Sequence, residues 1–414
     1  MNREKRILLL NQWFEPEPSF KGLLFAKSLI SKGYDVEVLT GFPNYPTGNI
    51  YPGYKLKLLK KEVIQGVKVT RVFLYPSHDN SSFRRSLNYL SFFLSSLIYG
   101  LFLLKRVDII YAYHPPLTTG LSASLLSIFK RIPLVYDIQD LWPESLKSTG
   151  MINSKILLST IGILCKFVYH VSNQIVVLSP GLKKSLIAKK VNPKKLNVVY
   201  NWADEKKLLN IKYPLPNLLY KNKSKSFSIL FAGNIGKAQN LSIILAAAKI
   251  LQERNLPIYF TIIGEGIEKN KLINLKERNN LKNISFLAGV PMEEVGSILC
   301  SADCLILHLK DDPLFRVTIP SKLQAYMLVG KPILIGVQGD AENLVKKSQS
   351  GIAFKPDNPQ SLASASIEMF NMSPKELNQF SQNAKYFYSQ ELSSNIGIDR
   401  FVSIFEKTIS NCKQ

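Results

Sequence analysis

Short apolar runs recur along the chain, separated by longer stretches in which apolar positions return every three or four residues. The runs Ile7–Leu10, Val36–Thr40, Val67–Phe73, Ile109–Tyr113, Leu134–Asp137, Gln174–Leu178 and Leu196–Tyr200 alternate with helical patterns such as Gly22–Ser31. Strand and helix in alternation predict a parallel sheet wrapped on both faces. A second series starts at Phe227, with strands predicted near Ser228–Ala232, Ile258–Ile263, Ile284–Leu287, Cys304–His308, Pro332–Ile335 and Gly351–Phe354. Between the two series, Asn201 to Ser226 carries Pro214, Pro216 and many lysines and reads as a linker. The tail from about Ser373 to Lys413 reads as two polar helices, the last expected to pack back onto the first domain. The pattern thus predicts an α/β protein with domains at 1–204 and 205–385 and a returning helix at 386–414. No repeat and no low-complexity tract interrupts it.

The length of 414 residues suits two full domains, each with its own core. Ile7–Leu10 is too short for the apolar region of a cleavable signal peptide and is expected to be a first buried strand, so the chain is expected to start in the cytoplasm. Cys165, Cys300, Cys304 and Cys412 form no C-x-x-C pair, so neither a disulfide framework nor a zinc site is expected. The formal net charge of +23 calls for a polyanionic neighbour. Twelve lysines between Lys183 and Lys225 face only Asp204 and Glu205, without the interleaved aromatics or motifs of nucleic-acid binding. An anionic membrane surface is the better match, with an ordinary lysine-rich exterior as the alternative.

One apolar segment sharpens that expectation. Leu87 to Leu104 is eighteen residues without a charge, flanked by Arg84, Arg85, Lys105 and Arg106. It sits at the lower limit for crossing a hydrocarbon layer of about 30 Å. A crossing would separate the first strands from the sheet they must join; a buried core helix and an interfacial helix remain. The cationic flanks favour the interfacial form, with Phe92, Phe93, Tyr99 and Phe102 entering the headgroup layer. Peripheral attachment at the cytoplasmic face of the membrane is the resulting expectation.

Candidate chemistry gathers where apolar runs end. The strand ending at Ala232 turns through Gly233, Asn234, Ile235 and Gly236 toward a helix, and glycines there admit close backbone approach while a helix start offers free N–H groups to a diphosphate. Lys237 adds a cation. Gly264-Glu265-Gly266 follows the next strand, but Lys269 stands where a dinucleotide fingerprint has its third glycine, which disfavours a nicotinamide or flavin. The most specific element is Thr318-Ile319-Pro320-Ser321-Lys322 at a helix start, where a hydroxyl and a cation meet the position of a diphosphate. Arg316 supplies a second positive charge. A departing nucleoside diphosphate needs such neutralisation as its bond breaks. There is no D-x-D carboxylate pair to hold a divalent metal, and His308 with Asp311 and Asp312 makes a poor cage, so protein cations are expected to replace a metal.

In the first domain the loop Asn11–Gly22 and the segment Phe42–Gly48 follow predicted strands at the edge where such sheets bind ligands. His114 ends a third strand, and Asp137, Asp140, Trp142 and Glu144 follow a fourth. An acceptor hydroxyl needs a hydrogen-bond acceptor to orient it and a sugar ring favours an aromatic wall, which singles out Asp140, Glu144 and Trp142.

With FPNYPTGNIYPGY, YDIQDLWPES, FAGNIGKAQNL and TIPSKLQAYMLVGKPIL followed by GDA, the chain resembles the retaining glycosyltransferases of the GT-B type, in which two Rossmann-like parallel-sheet domains face a cleft. It looks most like the bacterial capsule, O-antigen and colanic-acid branch that includes N-acetyl-fucosamine transferases. The resemblance implies transfer of an N-acetylated or 6-deoxy hexosamine from a UDP-sugar, with retention, to a polyprenyl-diphosphate-linked glycan, and no cofactor beyond the donor. It implies donor contacts at Gly233, Asn234, Gly236, Lys237, Gly264, Glu265, Val290, Thr318, Pro320, Ser321 and Gln324, and catalytic roles for Lys322, Arg316, Asp140, Glu144 and His114. Two departures matter: the wider family's glutamate pair is matched by Val317 and Ala325, and its Arg and Lys after the first strand of the second domain by Asn234 and Gln239. A nucleotide-sugar epimerase or hydrolase of the same fold, or a basic binding protein for RNA or membrane, are the rival readings.

Overall fold

The computed structural model describes residues 4–78, 81–148, 150–211 and 226–412. The chain divides into two compact units, one of Met1–Leu178, Leu182–Val199 and Ile398–Gln414, the other of Ser179–Gly181 and Tyr200–Gly397.

The first unit is built on β1 (Arg6–Leu10), β2 (Asp35–Gly41), β3 (Leu59–Ile64), β4 (Val67–Val72), β5 (Ile109–His114), β6 (Leu134–Ile138), β7 (Gln174–Val177) and β8 (Leu196–Val198). They form one sheet in the order β3-β4-β2-β1-β5-β6-β7-β8. Every neighbouring pair is parallel except the β3–β4 hairpin. Leu8, Leu10, Ile110, Ala112, Leu134 and Ile175 fill the core beneath the helices, each fully buried. The edge strand β3 was not foreseen. LKKEVI is mostly polar, and its pairing depends on the two-residue turn Gln65-Gly66, where φ is 47° and 88° as a tight hairpin requires.

Helices Ser82–Phe102, Leu117–Lys130 and Lys155–Val171 follow β4, β5 and β6. These crossovers advance in one direction along the sheet, so right-handed connection puts all three helices on one face. The middle helix packs against both others. The first of them corrects the membrane expectation in part. Phe92 and Tyr99 are core residues, at 0% and 3% exposure, with Tyr99 Oη donating to Glu37 at 2.9 Å. Phe102 is exposed and Phe93 half-buried. Among the described residues no helix is long and apolar enough to cross a membrane.

The last helix, Ser394–Asn411, carries residues 398–411 into the first unit. Phe401 sits 5.1 Å from Phe25 and 5.8 Å from Tyr111, and Glu406 pairs with Lys5.

The second unit has β9 (Phe227–Ala232), β10 (Ile258–Ile263), β11 (Ile284–Leu287), β12 (Cys304–His308), β13 (Ile333–Gly336) and β14 (Gly351–Ala353), all parallel, in the order β11-β10-β9-β12-β13-β14. That order reverses between β9 and β12, the place where a doubly wound sheet opens its ligand crevice. The predicted linker is only partly one. Residues 201–211 pack into this unit, with Leu208 buried and Glu205 accepting from Tyr388 Oη at 2.8 Å, while 212–225, with Pro214 and Pro216, lie outside the described residues.

Candidate active site

The carboxyl edge of β9, β10 and β12 is built from two loops laid on one another. Gly233 N donates to Ile263 O at 2.8 Å and Ile235 N to Glu265 O at 2.8 Å, so the loop after β9 continues the pairing of its strand with β10. A Cβ at Gly264, where φ is 147°, would overlap the carbonyl oxygen of Gly233, which is why that position holds glycine. Lys269 locks the layer from beneath. Its ammonium donates to Glu265 Oε1 at 2.7 Å, Gly264 O at 3.0 Å and Leu287 O at 3.2 Å. The residue that breaks the dinucleotide fingerprint therefore ties the ends of β10 and β11 together. Glu265 also accepts from Gly289 N, and these donors lower its carboxyl below the usual range.

Helix Ser321–Val329 starts beside this layer, with Pro320 at the N-cap in extended conformation and Ser321 as first helical residue, one position later than expected for the proline. Lys322 is the centre of the arrangement. Its stem runs over Gly233, whose missing side chain makes the room, and its Nζ stands 4.6 Å from the centroid of the Phe231 ring. Among the described residues no carboxylate pairs with it, and burial alone pushes its ammonium down to about 8. Gln324 is buried; with its amide nitrogen turned inward it donates to Pro320 O at 2.8 Å and Ser321 O at 3.1 Å, fixing the helix start. Tyr326 Oη bridges Ala232 N and Ile306 O, joining the helix to β9 and β12.

The other expected donor groups are less committed to this spot. Ser321, Lys237 and Asn234 are exposed, Gly236 N donates to Gln239 Oε1 at 3.1 Å, and Val290 packs partly into the core. Thr318 Oγ1 donates to Leu314 O at 2.9 Å, capping the turn before the helix. Arg316, half-exposed, is paired with Asp311 at 2.9 Å. His308 is a scaffold residue that sequence reasoning weighed only as a metal ligand. Its Nδ1 donates to Gln239 O at 2.7 Å and its Nε2 accepts from Asp357 N at 3.1 Å, the tautomer of a neutral ring, and burial lowers its pKa. Among the described residues no cluster of His, Cys, Asp and Glu could hold a metal ion.

At the carboxyl edge of the first sheet, His114 is buried, and burial pushes it down to about 3, so the ring is neutral at any physiological pH. It meets Trp142 edge-on at 5.0 Å, and its Nδ1 has no hydrogen-bond partner among the described residues. Asp140 is exposed by area yet crowded by protein on most sides, which raises its carboxyl. Glu144 begins a helical turn and is taken up by Lys189 at 2.6 Å.

The residues that organise this edge were missed. Glu17, buried, accepts from Asn44 N at 2.7 Å, Tyr45 N at 2.8 Å and Phe14 N at 3.3 Å, clamping the Asn11–Gly22 loop to Phe42–Gly48, and burial pushes it up to about 7. That clamp sets Trp13 4.8 Å from Tyr45, and Tyr45 4.7 Å from His78, an aromatic shelf of the kind sugars stack on. Lys21 and Asp137 form a fully buried pair at 2.6 Å, with Tyr111 Oη on the same carboxylate oxygen at 2.6 Å and Phe401 over the ammonium at 4.8 Å. The run EPEP between a strand and a helix was the available sign of buried carboxylates; the Lys21–Asp137 pairing had none.

Two parallel-sheet units, the second carrying stacked glycine loops and a half-buried lysine without a carboxylate partner among the described residues at its carboxyl edge, define a GT-B fold. Residues 220–387 match the family described as "Glycosyl transferases group 1" and residues 23–202 the "Glycosyl transferase 4-like domain". The chain belongs to the group 1 glycosyltransferases, enzymes of the retaining hexosyltransferase type with a nucleotide-sugar donor. It is 24% identical over 319 residues to the probable glycosyltransferase WbjE of Pseudomonas aeruginosa, covering 75% of this chain and 77% of that one. It is 25% identical over 324 residues to the putative colanic acid biosynthesis glycosyl transferase WcaI of Escherichia coli, covering 76% and 78%. Among solved structures, Anabaena Alr3699/HepE in complex with UDP superposes with a TM-score of 0.68 at 15% identity over 97% of this chain and all of that one.

Proposed function

We propose that the second unit binds a UDP-linked hexosamine with its diphosphate against Lys322 and the amides of the Gly233–Gly236 loop, and that the first unit holds the acceptor, a glycan carried on a polyprenyl diphosphate. The bond from the anomeric carbon to the diphosphate oxygen breaks, the acceptor hydroxyl oxygen takes its place on the same face, and the hydroxyl proton passes to the departing diphosphate. Negative charge grows on the departing nucleotide, and the ammonium of Lys322, held in place over Gly233 and partly shielded from water, meets it with little reorganisation. Protein cations thus take the part that a divalent metal plays elsewhere.

The observation that carries this reading is the half-buried ammonium of Lys322, laid over Gly233 and Phe231 with no carboxylate beside it among the described residues. A charge partly withdrawn from water costs free energy unless it is paired, so its counter-charge is expected to arrive with a ligand. On the acceptor side the neutral His114, Asp140 and the Trp13–Tyr45 shelf are the groups suited to orient a sugar hydroxyl. Similarity to WcaI, named for colanic acid biosynthesis, supports an acceptor from polysaccharide assembly.

The test is a thermal-shift series against UDP, other nucleotides and UDP-hexosamines, followed by UDP release with lipid-linked acceptor. Lys322→Ala should lower turnover at least tenfold, equal to about 1.4 kcal/mol of lost barrier stabilisation. Near-wild-type turnover would reject the role of Lys322, and donor consumed equally fast without acceptor would favour a hydrolase.

A further inference from the structure

Three of the helices on one face of the first unit contain no Asp or Glu in 21, 14 and 17 residues. Helix Ser82–Phe102 turns a row of large apolar side chains to the outside: Phe83 is 72% exposed, Leu90 51%, Leu94 55%, Ile98 58% and Phe102 79%. Steps of seven and four residues keep them on one side, opposite Phe92 and Tyr99 in the core, and the row runs about 28 Å at 1.5 Å per residue. Helix Lys155–Val171 repeats the design, with Ile156 and Ile163 outward and Cys165, Val168 and Tyr169 inward. Ile128 and Phe129, at the end of the helix between them, are exposed as well. Isolated exposed apolar residues need no explanation, whereas a periodic array on adjacent helices does.

Cations surround the array. A groove of about 470 Å³ beside helix Lys155–Val171 is lined by Lys166, His170, Lys189, Lys190 and Lys195, with no carboxylate in its wall. Lys189 reaches Glu144, and Lys195 donates to His170 O, leaving Lys166 and Lys190 exposed in the groove. A second groove of about 510 Å³ sets Ile128 and Phe167 beside Arg131 and His170. Arg84, Arg85, Lys105 and Arg106 bound the first helix.

We propose that this three-helix face is a docking surface for an anionic phospholipid bilayer, the apolar rows entering the acyl–headgroup boundary while the grooves take lipid phosphates. Apolar and cationic groups sharing one wall match that layered chemistry. A second copy of the chain would set the same cations against each other across a two-fold interface. Nucleic acid would call for aromatics stacked along a cationic groove, whereas most of the exposed phenylalanines here stand in apolar rows with leucine and isoleucine. All the residues lie in the first unit and none belongs to the proposed donor site, so the inference stands or falls separately from donor binding.

The experiment is co-sedimentation of the full chain with phosphatidylcholine vesicles, with and without phosphatidylglycerol, at low and moderate salt. Wild type should bind the anionic vesicles and release them as salt rises. Leu94→Ser/Ile98→Ser/Phe102→Ser, all more than half exposed, should weaken partition at least tenfold, and Lys166→Glu/Lys190→Glu should remove the preference for anionic lipid. Both variants should keep the wild-type melting temperature and the wild-type shift with UDP, which separates lost docking from misfolding or a failed donor reading. Equal partition of wild type with and without anionic lipid, or unchanged partition of the serine variant, overturns the proposal. So does a wild-type dimer that the serine variant dissociates while vesicle binding persists, because a second copy would then cover the face.

Discussion

Replacing Lys322 with methionine should stabilise the unliganded protein and abolish its response to donor. Methionine keeps the length and apolar stem that lie over Gly233 and Phe231 and removes only the charge. Burial moves the ammonium from 10.5 to about 8. At about 1.4 kcal/mol per pKa unit that gap is worth up to ~3 kcal/mol, and nearer ~2 kcal/mol once partial solvation of the ammonium is allowed for. Below pH 8 folded and unfolded chains both hold the proton, and the native state bears the full cost. Between pH 8 and 10.5 the folded chain gives up the proton while the unfolded chain keeps it, so wild type gains on the variant, and the difference closes near 10.5. For a domain of this size the variant should melt roughly 5 °C higher at pH 7. Scanning fluorimetry with and without UDP-hexosamines at pH 7 and pH 10 measures both effects. A variant that melts below wild type at pH 7, or that still shifts with donor, would refute the idea of a charge held in reserve for a ligand.

Other consequences are accessible to simple variants. Gly264→Ala forces a side chain against the Gly233 carbonyl at a φ of 147° and should cost at least ~2 kcal/mol in denaturant unfolding, with loss of the UDP shift. Lys21→Met leaves Asp137 buried without its cation and should cost about 3–5 kcal/mol, much of which Lys21→Met/Asp137→Leu should recover, since the expense lies in the unpaired charge. Glu17 is raised from 4.5 to about 7, so between those values the folded chain holds a proton that the unfolded chain has lost, and stability should fall as pH rises through the window; Glu17→Gln should flatten that part of a melting-temperature profile. Phe401→Ala should destabilise the first unit by about 3–5 kcal/mol, seen as early unfolding of its part in a two-step melt.

Among the described residues, thirteen of the fourteen strands were legible because buried parallel strands are runs of apolar residues that end in turn signals. β3 was not, since a half-exposed edge strand written LKKEVI shows its pairing only through the turn that follows it. Thr318 to Lys322 could be read because proline and a polar residue before an apolar stretch announce a helix start. The orientation of helix Ser82–Phe102 could not. Leu87 to Leu104 has no charge to mark the wet side, so nothing in the string tells Phe92 from Leu94; Phe92 is held inward by the core, and Leu94 faces out. Lys21 and Asp137 are 116 residues apart, and only the sheet brings them together. Lys269 was visible as an exception to a glycine rule, but its clamp on two carbonyls needs coordinates.

Because residues 398–411 complete the packing around Tyr111 and Phe25, the first unit to leave the ribosome is the last to be finished. Its opening stretch must wait, with Lys21 lacking the Phe401 ring over its ammonium, until the whole of the second unit has been translated. Premature termination anywhere before Gly397 therefore damages both halves at once, and a fragment ending at Val199 would present an uncovered aromatic floor to chaperones and proteases.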